Sequence, residues 1–389
     1  MENSPQKPAN GPETDDIARW TDRYFLKTKE VIGHFGDKTV TYAVFMRRPV
    51  IYAVRPMVEW IEKVAQSRGV EFKLELNFEE GDWVGAGEPL LYITGSFHHL
   101  VDLETLALQK LGASCVAAYN AYTMCCDLPK VAFIAMDARH CAGTEMEALM
   151  GYAASVGSTA AQKEKGAIGF IGTANDATAP YFGKERGLGT MPHGLIGYAG
   201  STLRAAEMFV EMFPDEDLVV LSDFFGREIS DALEVCRRFP EMAAAGRISV
   251  RLDTHGGRFV EGLGPQRSYA VLEKHAPMAF RLYRNETELR YLTGTGVSAA
   301  AVYHTRDALD QAGFPKVKIV CSSGFGVEKC RVMAYSNAPI DVIGTGSYLP
   351  DKWSETYATA DIVAYDGEPR VKIGREFLLK KRKNHVSGS

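Results

Sequence analysis

Several short segments combine charge with small residues, and each follows a short apolar run. They are Asp137-Ala138-Arg139, Gly172-Thr173-Ala174-Asn175, Asp223, Arg251-Leu252-Asp253-Thr254-His255-Gly256-Gly257, Ser322-Ser323-Gly324 and Gly344-Thr345-Gly346-Ser347. Small residues expose backbone N–H groups and let an anion approach closely. One such turn reads as an ordinary tight turn; two, after the last two apolar runs, favour a phosphate site. Arg251 and Asp253 are two apart on a strand and so share a face. The guanidinium suits a carboxylate or phosphate, and the carboxylate suits sugar hydroxyls or Mg²⁺. The spacing alone equally allows a structural ion pair.

Gly189-Thr190-Met191-Pro192-His193-Gly194 places an imidazole just before a helix. There it can act beside a bound anion or accept a phosphoryl group; the ordinary alternative is a surface histidine. Taken singly, His255 reads as a hydrogen-bonded loop residue, Asp223 as a helix cap and Tyr24 as core. There is no Gly-x-Ser-x-Gly, Walker A or His-Glu-x-x-His sequence, and Gly166 to Gly172 flank a strand rather than open a dinucleotide-binding helix.

The elements that carry these residues follow from hydrophobic period. The first third mixes both periods: a helical start and short helix over Asp15–Ile32, strands at Val40–Arg47, Phe72–Leu76 and Leu90–Gly95, and helices at Val54–Arg68 and Leu103–Tyr122. From Lys130 strands alternate with helices. The strands are Val131–Met136, Gly166–Ile171, Leu218–Ser222, Ile248–Leu252, Val317–Cys321 and Ile340–Ile343. The helices between them include Glu145–Ser155, Gly197–Met212, Ile229–Arg238 and Ala300–Ala312. That alternation predicts parallel βα units in a barrel, complete or incomplete, rather than an open doubly wound sheet, with its chemistry at the strand C-termini. Short strands at Ile362–Tyr365 and Val371–Ile373 are expected to return to the first domain. The predicted domains are a disordered leader (1–16), an N-terminal α/β segment with a connecting helix (17–127), the barrel (128–350), and C-terminal strands with a basic tail (351–389).

Composition limits the class. The chain has 389 residues, 46% hydrophobic and 24% charged, which excludes a disordered or collagenous protein. Lys and Arg number 44 against 49 Asp and Glu, a formal charge of -5, so no general nucleic-acid-binding surface is expected. Seven cysteines at irregular spacing, with no Cys-x-x-Cys, argue against a disulfide framework or zinc ribbon and suit reduced thiols in the cytoplasm. No apolar run is long enough for a membrane span.

Together these motifs resemble the nicotinate phosphoribosyltransferase family, within the type II phosphoribosyltransferases. Thr21-Asp22-Arg23-Tyr24-Phe25 is similar to the family's opening Thr/Ser-Asp-x-Tyr, and Gly189-Thr190-Met191-Pro192-His193 to Gly-Thr-x-x-His. Arg251-Leu252-Asp253-Thr254 is similar to Arg-x-Asp-Ser/Thr, Ser322-Ser323-Gly324-Phe325 to Ser-Gly-Gly-Leu, and Ile343-Gly344-Thr345-Gly346-Ser347 to Gly-Val-Gly-Thr. The resemblance implies an irregular, incomplete βα barrel plus an α/β sandwich domain built from both chain ends. It implies a head-to-tail homodimer or higher oligomer with shared active sites.

The implied reaction joins nicotinate to phosphoribosyl pyrophosphate in NAD salvage, with Mg²⁺ and a possible coupling to ATP hydrolysis. By resemblance, Tyr24 of the neighbouring subunit stacks on the pyridine ring, Arg139 holds the base or donor, and Asn175 lies where relatives often have Asp. Asp223 lies near pyrophosphate and Mg²⁺, and His193 is phosphorylated or poised beside the donor. Asp253 faces the ribose, and Ser323, Gly324, Gly346 and Ser347 hold the 5′-phosphate, within the loops Ser322–Gly324 and Gly344–Ser347. Arg251 is a further partner for the base carboxylate.

Met136 and Asp137 stand where the family usually has Phe-Gly. That removes one stacking face and adds negative charge, which keeps open another base, nicotinamide or quinolinate, or a non-catalytic nucleotide-binding paralogue. Quinolinate needs two carboxylate partners, for which Arg139, His140, Arg251 and His255 are available. No zinc module is expected after Cys330.

Overall fold

The computed structural model describes residues 16–189, 191–282, 284–346, 349 and 355–379. The strands of the first part are β1 (Thr39–Phe45), β2 (Val50–Ile51), β3 (Lys73–Leu76), β4 (Trp83–Val84) and β5 (Pro89–Ser96). Six more follow: β6 (Ala132–Ala135), β7 (Gly169–Thr173), β8 (Leu218–Leu221), β9 (Ile248–Leu252), β10 (Lys318–Cys321) and β11 (Val342–Thr345). The chain closes with β12 (Thr359–Tyr365) and β13 (Glu368–Pro369). It divides into two compact units, residues 1–119 with 352–389 and residues 120–351.

The first unit is an antiparallel sheet in the order β13-β12-β1-β5-β3. The buried side chains of β1 and β5 join those of the chain's end: Ala43, Phe45, Tyr92, Val363 and Leu378 form one cluster. The helix Arg55–Arg68 buries Met57, Trp60, Ile61 and Val64, the face expected from its period, and Gly69 stops it in the left-handed conformation. Val371–Ile373, expected as a strand, is not one. The chain instead turns at Asp366-Gly367, both at positive φ, so that β13 pairs with β12, and Val371 packs on the apolar cluster.

The second unit is a parallel six-stranded sheet in the order β7-β6-β11-β10-β9-β8. The unit's first strand lies beside its last, the neighbour relation of a βα barrel, and no ladder joins β7 to β8 among the described residues. Parallel pairing with helical crossovers buries the strands, which is why they read as continuous apolar runs.

Several boundaries differ from the sequence reading, among them the helix expected at Glu145–Ser155, which spans Thr144–Lys165, and the one expected at Leu103–Tyr122, which spans Glu104–Asp127. The strand expected at Gly166–Ile171 starts at Gly169. Gly166 ends the helix Thr144–Lys165 in the left-handed conformation. At Gly169, φ is +71° and a Cβ would lie 2.2 Å from Ser158 Oγ; that oxygen accepts the Phe170 N–H at 2.8 Å. The last parallel strand likewise lies two residues later, so Gly344 and Thr345 belong to β11 rather than to a loop. The helix expected at Gly197–Met212 is two helices, His193–Ala199 and Thr202–Met212. Gly200 terminates the first at φ +79°, and Ser201 caps the second by accepting the Arg204 N–H. Helices at Pro265–His275, Glu286–Thr293 and Val327–Tyr335 add to those expected.

Candidate active site

The C-terminal ends of β6, β9, β10 and β11 border a cavity of about 680 Å³. Met136, Arg139, His193, Arg251, Asp253, Ser322-Ser323-Gly324 and Gly344-Thr345-Gly346 all line it. Segments as far apart in sequence as Met136 and Gly346 meet there because parallel strands all end on one side of the sheet.

Arg251, Asp253 and Ser322 form one interlocked group. Arg251 Nε donates to Ser322 Oγ at 2.9 Å, Ser322 Oγ donates to Asp253 Oδ1 at 2.7 Å, and Arg251 Nη2 lies 3.4 Å from Asp253 Oδ2. The ion pair weighed from spacing is therefore present, and it stands in the cavity wall. Arg139 differs: it is exposed at the cavity and has no ion-pair partner among the described residues.

The two glycine-containing segments have different geometry. Ser323 and Gly324 both have φ +73°, and Ser323 is one of few non-glycine residues in that region. Its carbonyl accepts from Lys329 Nζ at 2.8 Å. Lys329 is only 6% exposed. Burial pushes its ammonium down to about 8. Sequence reading missed this residue, although Val332 and Met333, three and four positions on, mark its helix face as interior.

Gly344 and Gly346 have ordinary backbone angles and are glycines for want of room. A Cβ on Gly346 would lie 2.7 Å from the Met136 carbonyl oxygen and 3.1 Å from Asp137 Cα. Thr345 spends its hydroxyl on the Phe325 carbonyl at 2.5 Å. Asp137 is buried, and desolvation pushes its carboxyl up to about 6, with Glu147 adding to the rise and the Cys141 thiol contact opposing it. Ser347 and Thr190 lie outside the described residues.

His193 opens its helix and sits 3.1 Å, through Nε2, from Asp223 Oδ1. Asp223 is thus an imidazole partner. Its backbone carbonyl accepts from Arg258 Nη2 at 2.9 Å, and Arg258 also pairs with the fully buried Glu228 at 2.5 Å. Sequence reading missed Arg258 and Glu228, which set the β8 end in place.

Three expected site residues do not line this cavity: Asp223, which reaches it through His193, and Asn175 and Tyr24, which stand elsewhere. Asn175 does not line the cavity: its side chain bonds Glu147 and accepts from the Thr178 N–H, closing a turn. Tyr24 is in the first unit, exposed, on a separate cavity of about 570 Å³ with Phe25, Tyr42, Phe97 and Glu104. Among the described residues no group of three His, Cys, Asp or Glu side chains has metal-binding geometry. Asp223 and Asp253 already carry basic partners, so the donor set suits a Mg²⁺ that brings most of its ligands on a phosphorylated substrate. No helix among the described residues is long and apolar enough to cross a membrane, and all seven cysteines are free thiols.

Residues 22–115 match the model of the quinolinate phosphoribosyl transferase N-terminal domain. The chain also shares its fold with solved structures. Nicotinate-nucleotide pyrophosphorylase from Pyrococcus furiosus is similar at 22% identity, TM-score 0.69, over 96% of this chain and 81% of that one. Human nicotinic acid phosphoribosyltransferase is similar at 16% identity, TM-score 0.57, over 91% and 76%. The nicotinate-nucleotide pyrophosphorylase of Ehrlichia chaffeensis is similar at 13% identity, TM-score 0.54, over 91% and 100%. No curated protein sequence matches the chain.

Proposed function

We propose that the chain is a phosphoribosyltransferase of NAD biosynthesis that joins a pyridine carboxylate, nicotinate in the first place, to phosphoribosyl pyrophosphate. The observation that carries this reading is one cavity holding a left-handed Ser323-Gly324 turn, the Arg251–Asp253–Ser322 group and Arg139, which has no ion-pair partner among the described residues. The ring nitrogen's lone pair forms the C–N bond at the anomeric carbon as the C–O bond to pyrophosphate breaks. The nitrogen carries no proton to lose, so the site needs no general base. Positioning and electrostatics carry the rate through an oxocarbenium-like transition state.

Each residue then has a defined task. The Ser322–Gly324 loop holds the 5′-phosphate. Asp253, oriented by Arg251 and Ser322, accepts from ribose hydroxyls. Arg139 holds the base carboxylate. Asp223 sets the His193 imidazole and is the carboxylate for a donor-borne Mg²⁺, which would neutralise the leaving pyrophosphate. In this reading Tyr24 serves a second copy, in a homodimer or higher oligomer, and the reaction is cytoplasmic. Quinolinate is the second reading: its family model matches the N-terminal domain, and His140 lines the cavity beside Arg139, offering two carboxylate partners.

Purified protein with Mg²⁺, phosphoribosyl pyrophosphate and one base at a time, with and without ATP, tests both. Mononucleotide from nicotinate is the expected chromatographic product, and product from quinolinate alone selects the second reading. No product from nicotinate, nicotinamide or quinolinate overturns the proposal. If ATP accelerates the reaction and His193→Ala leaves that acceleration unchanged, phosphoryl transfer to His193 is rejected.

A further inference from the structure

Lys329 is the buried cation nearest the Ser322–Gly324 turn that the reaction scheme does not use. Its ammonium donates to the Ser323 carbonyl at 2.8 Å and lies 4.1 Å from the Phe325 ring centroid and 5.7 Å from that of Tyr291. No carboxylate lies within ion-pair distance of it among the described residues. A buried ammonium without a counter-ion is costly, and a helix interior is an unfavourable place for one. The charge faces one thing it can serve: the loop between it and the cavity.

We propose that Lys329 is a positioning residue for an anion site, its charge completed by the phosphate monoester of a phosphorylated sugar bound on the other side of the Ser323-Gly324 turn. This deepens the proposed function and rests on its placing the 5′-phosphate at this loop. Two effects act together. The hydrogen bond holds the Ser323 carbonyl back from the cavity, so an anion meets no acceptor from that peptide. The uncompensated charge adds a favourable field across a single layer of backbone, where screening by water is weak. The other charged or titratable groups facing Lys329 are Asp253, Arg290 and the thiols of Cys321 and Cys330. Burial pushes both thiols above their ordinary range, so they stay neutral near pH 8. The ammonium itself is pushed down to about 8 and titrates there. An anion favours the charged lysine, so binding at pH 8.5 should draw a proton onto the protein.

Calorimetric titration of the full chain with ribose 5-phosphate, without metal, reads this directly. Repeating it at pH 8.5 in two buffers of different ionisation enthalpy gives the protons taken up. We expect affinity to fall severalfold from pH 7 to pH 9, with a measurable fraction of a proton taken up at pH 8.5. In Lys329→Met, affinity at pH 7 should drop about tenfold or more and proton uptake should vanish. Binding by the wild type with no proton uptake and no pH dependence overturns the role of Lys329, whether or not Lys329→Met folds. Lys329→Met binding as well as the wild type overturns it too. Failure of the wild type to bind ribose 5-phosphate at any pH instead removes the phosphate site on which the inference rests.

Discussion

The two glycine-containing segments at the ends of β10 and β11 look alike in sequence and are built differently. Ser322-Ser323-Gly324 turns through two consecutive left-handed residues and has a buried cation, Lys329, behind it. Gly344-Thr345-Gly346 runs on from a strand at ordinary angles and presses against Met136 and Asp137, a buried acid. The first has the backbone form and the charge for an anion. The second has ordinary backbone angles and a buried acid behind it, and its glycines leave room for the neighbouring chain to pass. Glycine content at a strand end therefore reports two different physical needs, close approach of a ligand or close approach of the protein's own backbone. Backbone angle and the charge behind the turn tell them apart.

The largest effect expected from this contrast is on chemistry at the first segment. Asp253→Asn keeps the shape but removes the carboxylate that Arg251 and Ser322 hold. It should lower kcat/KM by about a hundredfold, ~2.7 kcal/mol, with the melting temperature little changed. Steady-state kinetics with phosphoribosyl pyrophosphate as the varied substrate check it. A variant with full activity would remove Asp253 from the site.

At the second segment the expected effect is on stability. Gly346→Ala places a methyl group against the Met136 carbonyl and the Asp137 backbone, which cannot move without parting β6 from β11. It should cost about 2 kcal/mol, within the range of overpacking. Denaturant unfolding measures this, and a loss below about 0.5 kcal/mol would mean the glycine is there for a ligand after all.

Asp137 gives the same segment a pH signature. Its folded carboxyl titrates near 6, above the usual range, so the folded state holds the proton more tightly than the unfolded one. The resulting stability is fully present below about pH 4 and is lost as pH rises through about 6. Asp137→Asn stays neutral and should lack that decline, so its stability relative to the wild type should rise by about 2 kcal/mol between pH 4 and pH 7. Parallel curves across that range would show that Asp137 does not titrate as a buried acid.

How far the sequence reveals this site follows from what each signal measures. The βα rhythm is legible because buried parallel strands must be apolar throughout, and that places Arg251, Asp253, Ser322 and Gly344 at strand ends. Strand starts at β7 and β11 are not, because a left-handed Gly169 and a strand-borne Gly344 look like loop residues. Asn175 has the right composition and place but is consumed by its own turn. Lys329 was hidden because lysine defaults to the surface, and only its spacing to Val332 and Met333 shows otherwise. Arg258 and Glu228 pair across 30 residues, a distance that no local pattern records.

The smallest effect separates backbone form from ligand contact at Ser323. A serine held at φ +73° is strained by up to about 1 kcal/mol relative to glycine. Ser323→Gly relieves that strain but adds freedom to the unfolded chain, so the net gain in stability should be about 0.5 kcal/mol. If the turn were only a turn, nothing else would change. If its hydroxyl helps hold a phosphate, ribose 5-phosphate should bind severalfold more weakly even as the fold becomes slightly more stable. Opposite signs in the two measurements on one variant would show strain retained for binding, whereas unchanged affinity would leave the backbone N–H groups and Lys329 as the anion's partners at this turn.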